Sequence, residues 1–390
     1  MRILHVIAGF DAAGAERMVV TLVAGSLERD VAVAVCAPPG QLDAELDTRA
    51  RRFAFADRGR SARGVTAAIV AVARVCRRFN PDVVHAHNVK ATAVAAAGSR
   101  LAQPTQRPPV LATLHGVAAD EYRAAADILR RSADIVACVS EDVRRRLVMA
   151  GHPAQHTVVI RNGVAPATPR AASRRQQLDR ELGLDGAPVV ISVGRLAPVK
   201  AQDRFLAAAA RIRRAVPEAR FLLVGDGPLR GALERQAAAV GLSDAVCFTG
   251  ARLDARDLVA RASLMLVTSR SEGLSVAVLE ALAAGVTVVA TDVPGMRELL
   301  DGGAGIVVRD ASAEALAEQA VGLLRAPGRC ARMGEIGRRL VSQRYAPARM
   351  VGEYLELADR LAAAQPALTS TSPVCGPMTA DDASRSREPV

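Results

Sequence analysis

Ser269–Leu300, SRSEGLSVAVLEALAAGVTVVATDVPGMRELL, decides how this chain is read. Just before it, Ser263–Thr268 (SLMLVT) predicts a short buried strand, and Ser-Arg-Ser-Glu-Gly is a polar turn. Leu274–Ala284 predicts a helix, apolar at Leu274, Val278, Leu282 and most other positions, and stopped by Gly285. Val286–Ala290 predicts a second buried strand. Strand, turn, buried helix and strand make a βαβ unit.

The chemistry of this unit sits at its turn. Glu272 precedes the predicted helix, and Glu280 follows eight residues later. A rise of ~1.5 Å per residue separates the two carboxylates by about 12 Å along the axis. They cannot share a proton or a metal, but they suit the two ends of an elongated ligand. Free amides near Leu274, Ser275 and Val276 form a helix N-terminus between them, which favours a phosphate. The alternative is structural: Glu272 as an N-cap or first-turn acid, and Glu280 on a solvated face.

A length of 390 residues makes two domains the natural expectation, and 50% hydrophobic content fills two cores. The formal charge of +11 admits an anionic partner, namely nucleic acid, a phosphate-rich substrate or a membrane surface. No Trp, three Tyr and seven Phe supply few stacking platforms, which argues against single-stranded nucleic acid. Cys36, Cys76, Cys138, Cys247, Cys330 and Cys375 are scattered with no CxxC pair, as expected of a reducing cytoplasm. MRILHVIAGF reads as a first strand, and no apolar run reaches the ~18 residues of a membrane span.

Residues 1–165 alternate strand-like runs (Arg2–Ala8, Val31–Ala37, Arg52–Ala56, Val83–Ala86, Val110–Leu114, Ile135–Val139, Val158–Arg161) with helices, among them Ala15–Glu28, Arg63–Phe79 and one capped by Ser140. Residues 166–186 are polar and read as a linker with one short helix, Arg174–Leu182. Residues 187–345 repeat the pattern. Residues 346–364 predict a last helix, possibly crossing back, and 365–390 a disordered tail. Apolar strands separated by helices specify an α/β fold of two doubly wound, Rossmann-like halves, with ligands in the cleft beyond the strands' carboxyl ends.

The loops in that position carry candidate ligand groups. Gly194-Arg195-Leu196-Ala197-Pro198-Val199-Lys200 brings two cations to one stiffened turn, where they suit an anion or form an exposed basic turn. Gly225-Asp226-Gly227-Pro228 is a tight entry to a helix, read equally well as turn chemistry. The backbone of Thr249-Gly250-Ala251-Arg252 suits a nucleobase. Gly14 opens a helix after the first strand, and His115-Gly116 ends another strand, where a lone histidine is more often structural. His85 and His87 share a strand face, but no carboxylate or cysteine completes a metal site, so no metal is expected.

In this order, the motifs resemble a retaining glycosyltransferase of the GT-B fold, in the group called glycosyl transferases group 1 or family 4. The matching elements are GAER (Gly14–Arg17), DVVHAHN (Asp82–Asn88), TLHG (Thr113–Gly116), RNGV (Arg161–Val164), SVGRLAPVK (Ser192–Lys200), LLVGDGP (Leu222–Pro228), FTG (Phe248–Gly250) and the E-x7-E pair Glu272/Glu280. They span residues 1–364. The resemblance implies a nucleotide-diphosphate sugar as donor substrate, no cofactor or metal, and a glycan, lipid-linked or small-molecule acceptor. It implies that Arg195 and Lys200 hold the diphosphate, and that Gly194, Gly250, Arg252, Gly273, Leu274 and Ser275 line the donor. Glu280 would bind ribose, Glu272 would face the sugar, and His115 and Gly14 would lie near the transferred group. The implied setting is polysaccharide or glycolipid synthesis in the cytoplasm, possibly at a membrane. A GT-B sugar-nucleotide epimerase and a non-catalytic scaffold are the alternatives.

Two features qualify the resemblance. The family's first loop often carries two adjacent glycines, where this chain has Ala13-Gly14. An added methyl there is expected to crowd donor or acceptor. Thr48–Gly64 carries Arg49, Arg51, Arg52, Arg58, Arg60 and Arg63, and Arg144–Arg146 adds a second cluster. These predict a basic face of the first half that either rests on anionic lipid or is simply solvated.

Overall fold

The computed structural model describes residues 1–55, 61–167, 172–184 and 186–364. The first half runs β1 (Arg2–Ile7), α1 (Gly14–Leu27), β2 (Ala32–Ala37), β3 (Arg51–Ala54), α2 (Ala62–Phe79), β4 (Val83–His87), α3 (Val89–Ala102), β5 (Val110–Leu114), α4 (Tyr122–Ser132), β6 (Ile135–Cys138), α5 (Glu141–Met149) and β7 (Thr157–Val159). After α6 (Ala172–Leu182) the second half runs β8 (Val189–Val193), α7 (Gln202–Ala215), β9 (Arg220–Val224), α8 (Arg230–Ala239), β10 (Val246–Gly250), α9 (Ala255–Arg261), β11 (Leu264–Val267), α10 (Val276–Ala284), β12 (Thr287–Thr291), α11 (Pro294–Leu300) and β13 (Gly305–Val308). Helices α12 (Ala313–Leu324), α13 (Pro327–Arg344) and α14 (Pro347–Ala363) close the chain.

Two parallel sheets result, ordered β3-β2-β1-β4-β5-β6-β7 and β10-β9-β8-β11-β12-β13. The order reverses between β1 and β4 in one sheet and between β8 and β11 in the other, and such switch points open a crevice at the strands' carboxyl ends. Strands β4 and β5 are buried along their whole length, because helices cover both faces of the sheet.

Local signals set several boundaries as expected. The Ser61 and Ser140 hydroxyls cap α2 and α5, accepting from the amides of Gly64 and Val143. Asn80, left-handed at φ 49°, ends α2. Helix α10 begins at Val276, two residues later than the sequence predicts, because Leu274 stays outside it with its carbonyl held by the Asn162 side chain at 3.1 Å.

Five elements escape the sequence reading: α3, α4, α9, α13 and β13. Helix α13 shows why. Its buried face is Gly334, Gly337 and Val341. A Cβ at 334 would lie 2.0 Å from the Gly285 carbonyl oxygen, so close backbone contact replaces the apolar stripe that marks most packed helices. Helix α6, read as part of a linker, packs on the second half. Its Leu178 is 1% exposed, and Arg174 binds Asp254 and Asp257. The expected tail, 365–390, lies outside the described residues.

The last helix returns to the first half. The Val164 amide donates to the Tyr345 carbonyl at 2.9 Å, and a Cβ at Gly163 would meet the Ala346 carbonyl oxygen at 2.8 Å. Helix α14 then lays Val351 against Gly25, and Arg29 donates to the Ala348 carbonyl. No described helix is long and apolar enough to cross a membrane.

The basic face is more compensated than its sequence implies. Arg49 pairs with Asp47 and Arg52 with Asp43, while Arg144 pairs with Glu141 and Arg145 and Arg146 with Asp142. Arg58 and Arg60 lie outside the described residues. Cys36, Cys76, Cys138, Cys247 and Cys330 are free thiols, and Cys375 is outside the described set.

Candidate active site

The loops that leave β8 and β11 meet at the second switch point. After β8, Pro198–Lys200 form one 3-10 turn, and Ala201 follows in the left-handed region at φ 48°. A non-glycine residue resists that conformation. The Thr268 hydroxyl holds it, donating to the carbonyls of Lys200 at 3.1 Å and Ala201 at 2.9 Å. Lys200 is thereby aimed at the β11 loop. Its Nζ donates to Glu272 Oε1 and Oε2 at 2.7 and 2.8 Å, and the Ser269 hydroxyl donates to Oε1 at 2.6 Å. The Thr291 hydroxyl in turn fixes the Ser269 carbonyl.

Glu272, with its side chain 8% exposed, therefore caps no helix; the residue at the α10 N-cap is Ser275. Ser275 makes no side-chain cap, which leaves the first-turn amides of α10 open to an anion. Arg195 is exposed on the same β8 loop, its carbonyl held by the Gln202 side chain. The glycines of the β9 loop support this turn directly. A Cβ at 225 would lie 2.2 Å from the Gly194 carbonyl oxygen, and one at 227 would lie 2.4 Å from that of Leu196. Gly194 leaves room for the Lys200 chain, whose Cε would sit 3.5 Å from an added Cβ.

The first half closes on this loop. A Cβ on Gly273 would fall 2.1 Å from the His115 carbonyl oxygen, and one on Gly295 would fall 2.1 Å from the Gly273 carbonyl oxygen. Residue 273 is thus pinned between the end of β5 and the start of α11. The approach at Gly14 is looser, since an added Cβ there would lie 3.3 Å from the Val276 side chain of α10. Gly273→Ala is expected to force the two halves apart and lower kcat about a hundredfold, the usual scale for misplacement by an ångström, with little loss of nucleotide affinity. Steady-state kinetics beside calorimetric nucleotide binding check this; a wild-type kcat would contradict the tight passage. Ala13 is extended at φ −117° and exposed, so its methyl is accommodated without strain.

Glu280 lies at the far end. It is 8% exposed rather than on a solvated face, and Arg256 approaches it at 3.4 Å while also donating to the hinge carbonyl of Ala165. Burial raises its pKa, against the pull of Arg256 and then Arg17. A cavity of about 520 Å³ opens beside it, bounded by α1, the hinge and α14. Arg17 closes one rim by donating to the Leu253 carbonyl at 2.8 Å and pairing with Glu45. Gly250, at φ 72°, ends β10, and its carbonyl accepts from the Gly225 amide. The Arg252 guanidinium is taken up by Asp254 and Glu181.

Burial lowers the His115 pKa to about 4, which keeps the ring neutral near pH 7, and its Nε2 has no hydrogen-bond partner among the described residues. The strand spacing that placed His85 and His87 on one face did not announce a third imidazole, His5, which β1 brings between them. His5 Nδ1 and His87 Nε2 share a hydrogen bond at 3.1 Å, and the His85 and His87 rings overlap at 4.3 Å between centroids. Arg256 and Tyr354 are further contributors that no motif marked, and Asn162 and Arg17 lay in quoted motifs without a role, because each acts on a partner far away in the chain.

The sequence model described as Glycosyl transferases group 1 matches residues 174–340, and that described as Glycosyltransferase Family 4 matches residues 12–168. The chain is 31% identical over 337 residues to a GDP-mannose-dependent alpha-(1-6)-phosphatidylinositol monomannoside mannosyltransferase of Mycolicibacterium smegmatis, covering 80% of this chain and 86% of that one. It is 27% identical to the N-acetyl-alpha-D-glucosaminyl L-malate synthase of Bacillus anthracis, over 73% of this chain and 76% of that one. Among solved structures, HepE of Anabaena in complex with UDP and glucose superposes with a TM-score of 0.78 at 23% identity, over 92% of this chain and all of that one. WaaG, a glycosyltransferase of lipopolysaccharide biosynthesis, does so at 0.74 and 17%, over 93% of this chain and 99% of that one. The expected pair of Rossmann-like halves is the fold these structures share.

Proposed function

The chain belongs to the family 4 and group 1 glycosyltransferases, and from that premise we propose that it moves a hexosyl group from a nucleoside-diphosphate donor to a hydroxyl of a glycan or lipid-linked acceptor, with retention and without a metal ion. One observation carries this reading: Lys200 clamps Glu272 at the open N-terminus of α10, with buried Glu280 in the second turn of the same helix. An anion seated on the α10 amides meets Lys200, which lines the same small cavity as Glu272 and Ser275, and exposed Arg195 of the β8 loop is assigned to the same diphosphate. These groups stabilise the diphosphate as it departs, an electrostatic task that needs no reorganisation when the donors are already fixed. Glu280 accepts from the ribose hydroxyls, and Glu272 holds Lys200 while facing the sugar. Neutral His115 offers its ring nitrogen to a sugar hydroxyl rather than acting as an acid. The acceptor proton passes to a phosphate oxygen of the donor.

The similarity to a mannosyltransferase named for a phosphatidylinositol monomannoside supports a lipid-linked acceptor. The test begins with UDP, GDP, dTDP and ADP. At a hundred times its Kd, the cognate nucleotide is expected to stabilise the protein by about 2.7 kcal/mol, read as a rise in Tm of a few degrees. Hydrolysis of the matching donor sugars follows, with product anomers read by NMR. No shift with any nucleotide would remove the proposal, and epimerised donor in the absence of acceptor would favour an epimerase.

A further inference from the structure

We propose that Tyr354 of α14 is a positioning residue for His115, acting through Thr113 and the buried imidazoles; the proposal rests on the sugar transfer inferred above. The register of the first sheet pairs His5 with His85 and His87 with Thr113. Side chains two apart on a strand share a face, so His5, His85, His87, Thr113 and His115 form one polar row on the side that α14 covers. Tyr354 completes the row from 241 residues away in sequence.

The row has a single hydrogen-bond direction at its α14 end. Tyr354 Oη lies 2.9 Å from Thr113 Oγ1, and Thr113 Oγ1 lies 2.7 Å from His85 Nε2. The phenol is buried, and Thr113 is its one hydrogen-bond partner among the described residues. Were Thr113 to donate to Tyr354, the phenolic proton would be stranded in the core, which costs more than a hydrogen bond returns. Tyr354 therefore donates to Thr113, Thr113 donates to His85 Nε2, and His85 carries its proton on Nδ1. His85 overlaps His87, which bonds His5 and stacks on His115 at 6.0 Å and 26°. Burial holds all four imidazoles neutral. At the cleft end, His115 is left with its Nε2 buried and unpartnered among the described residues, and its carbonyl against Gly273. The helix that returns from the second half thus sets the orientation of a ring that faces the donor.

The test uses Tyr354→Phe, which keeps the ring, Thr113→Val, and Thr113→Ser, which keeps the hydroxyl. The first two are expected to lower kcat about tenfold at unchanged KM for the donor, and Thr113→Ser to restore it. In a His115→Ala background, Tyr354→Phe should change kcat less than about twofold, since coupled residues do not add. Long-range ¹H–¹⁵N spectra of labelled histidine should show His85 protonated on Nδ1 in the wild type and altered in Tyr354→Phe. A wild-type kcat in Tyr354→Phe, a full loss that persists without His115, or His85 protonated on Nε2 would each overturn the proposal. A wild type that transfers no sugar but shows the expected spectra would instead refute the assigned reaction and keep the hydrogen-bond direction.

Discussion

Lys200→Ala is expected to lower kcat about a thousandfold and to weaken nucleotide-diphosphate binding. Two effects act in the same direction. The variant loses the cation that lines the small cavity at the α10 N-terminus, and removal of a preorganised electrostatic group of this kind costs on the order of 10²- to 10³-fold. It also leaves Glu272, 8% exposed, with the Ser269 hydroxyl alone, so the charge facing the diphosphate changes from balanced to negative. Binding falls through repulsion as well as lost attraction. Lys200→Arg is expected to recover binding but not turnover. A guanidinium is a planar fork and does not reproduce the point charge whose Nζ meets both Glu272 oxygens at 2.7 and 2.8 Å. Rates under saturating donor, with nucleotide Kd from calorimetry, separate these effects. A Lys200→Ala enzyme within tenfold of wild type and with unchanged nucleotide affinity would remove Lys200 from the site.

Stability should fall steeply between pH 6.5 and 4.5. His5 is lowered by burial to about 3 and His115 to about 4, and His85 and His87 also lie well below the usual imidazole value. The folded state therefore keeps four neutral rings that the unfolded chain protonates below about 6.5, and each such proton is about 1.4 kcal/mol per pH unit. The stabilisation is complete above 6.5 and is lost as pH falls. Two carboxyls act in the opposite sense. Glu16, raised to about 7 by burial, and Glu280, also raised, are protonated in the folded state first. The buried rings outnumber the two carboxyls, so the net effect is a loss of stability as pH falls below about 6.5. Urea titrations at half-unit intervals measure the slope, and His5→Gln should flatten it by one proton. Stability that is level from pH 7 to pH 5 would show that the rings are solvated or already charged.

Much of the fold was legible because parallel strands buried on both faces must be mainly apolar, as VVISV, RFLLV and TVVAT are. The helices that went unread were those whose packing needs little apolar contrast. Helix α3, VKATAVAAAGSRLA, buries alanine and glycine, and α13 seats glycines on a neighbouring backbone. Legibility of the site followed the same line. Lys200, Glu272 and Glu280 stand at spacings that a βαβ unit converts into a common end of the sheet.

From the order of residues alone came two doubly wound halves, the loops after their strands, and two cations and two acids whose match to a nucleotide sugar followed from the family resemblance, because hydrophobic period and turn chemistry are local properties. Pairing belonged to the tertiary structure. That Lys200 binds Glu272 rather than facing solvent, that Arg256 rather than water meets Glu280, and that Arg252 is consumed by α6 depend on contacts across 72, 24 and 71 residues. The histidine row depends on strand order, since β1 lies beside β4 only after two other strands have been laid on its opposite side. Helix α14 had to return to the first half before Tyr354 met Thr113, and no local pattern specifies where a returning helix lands.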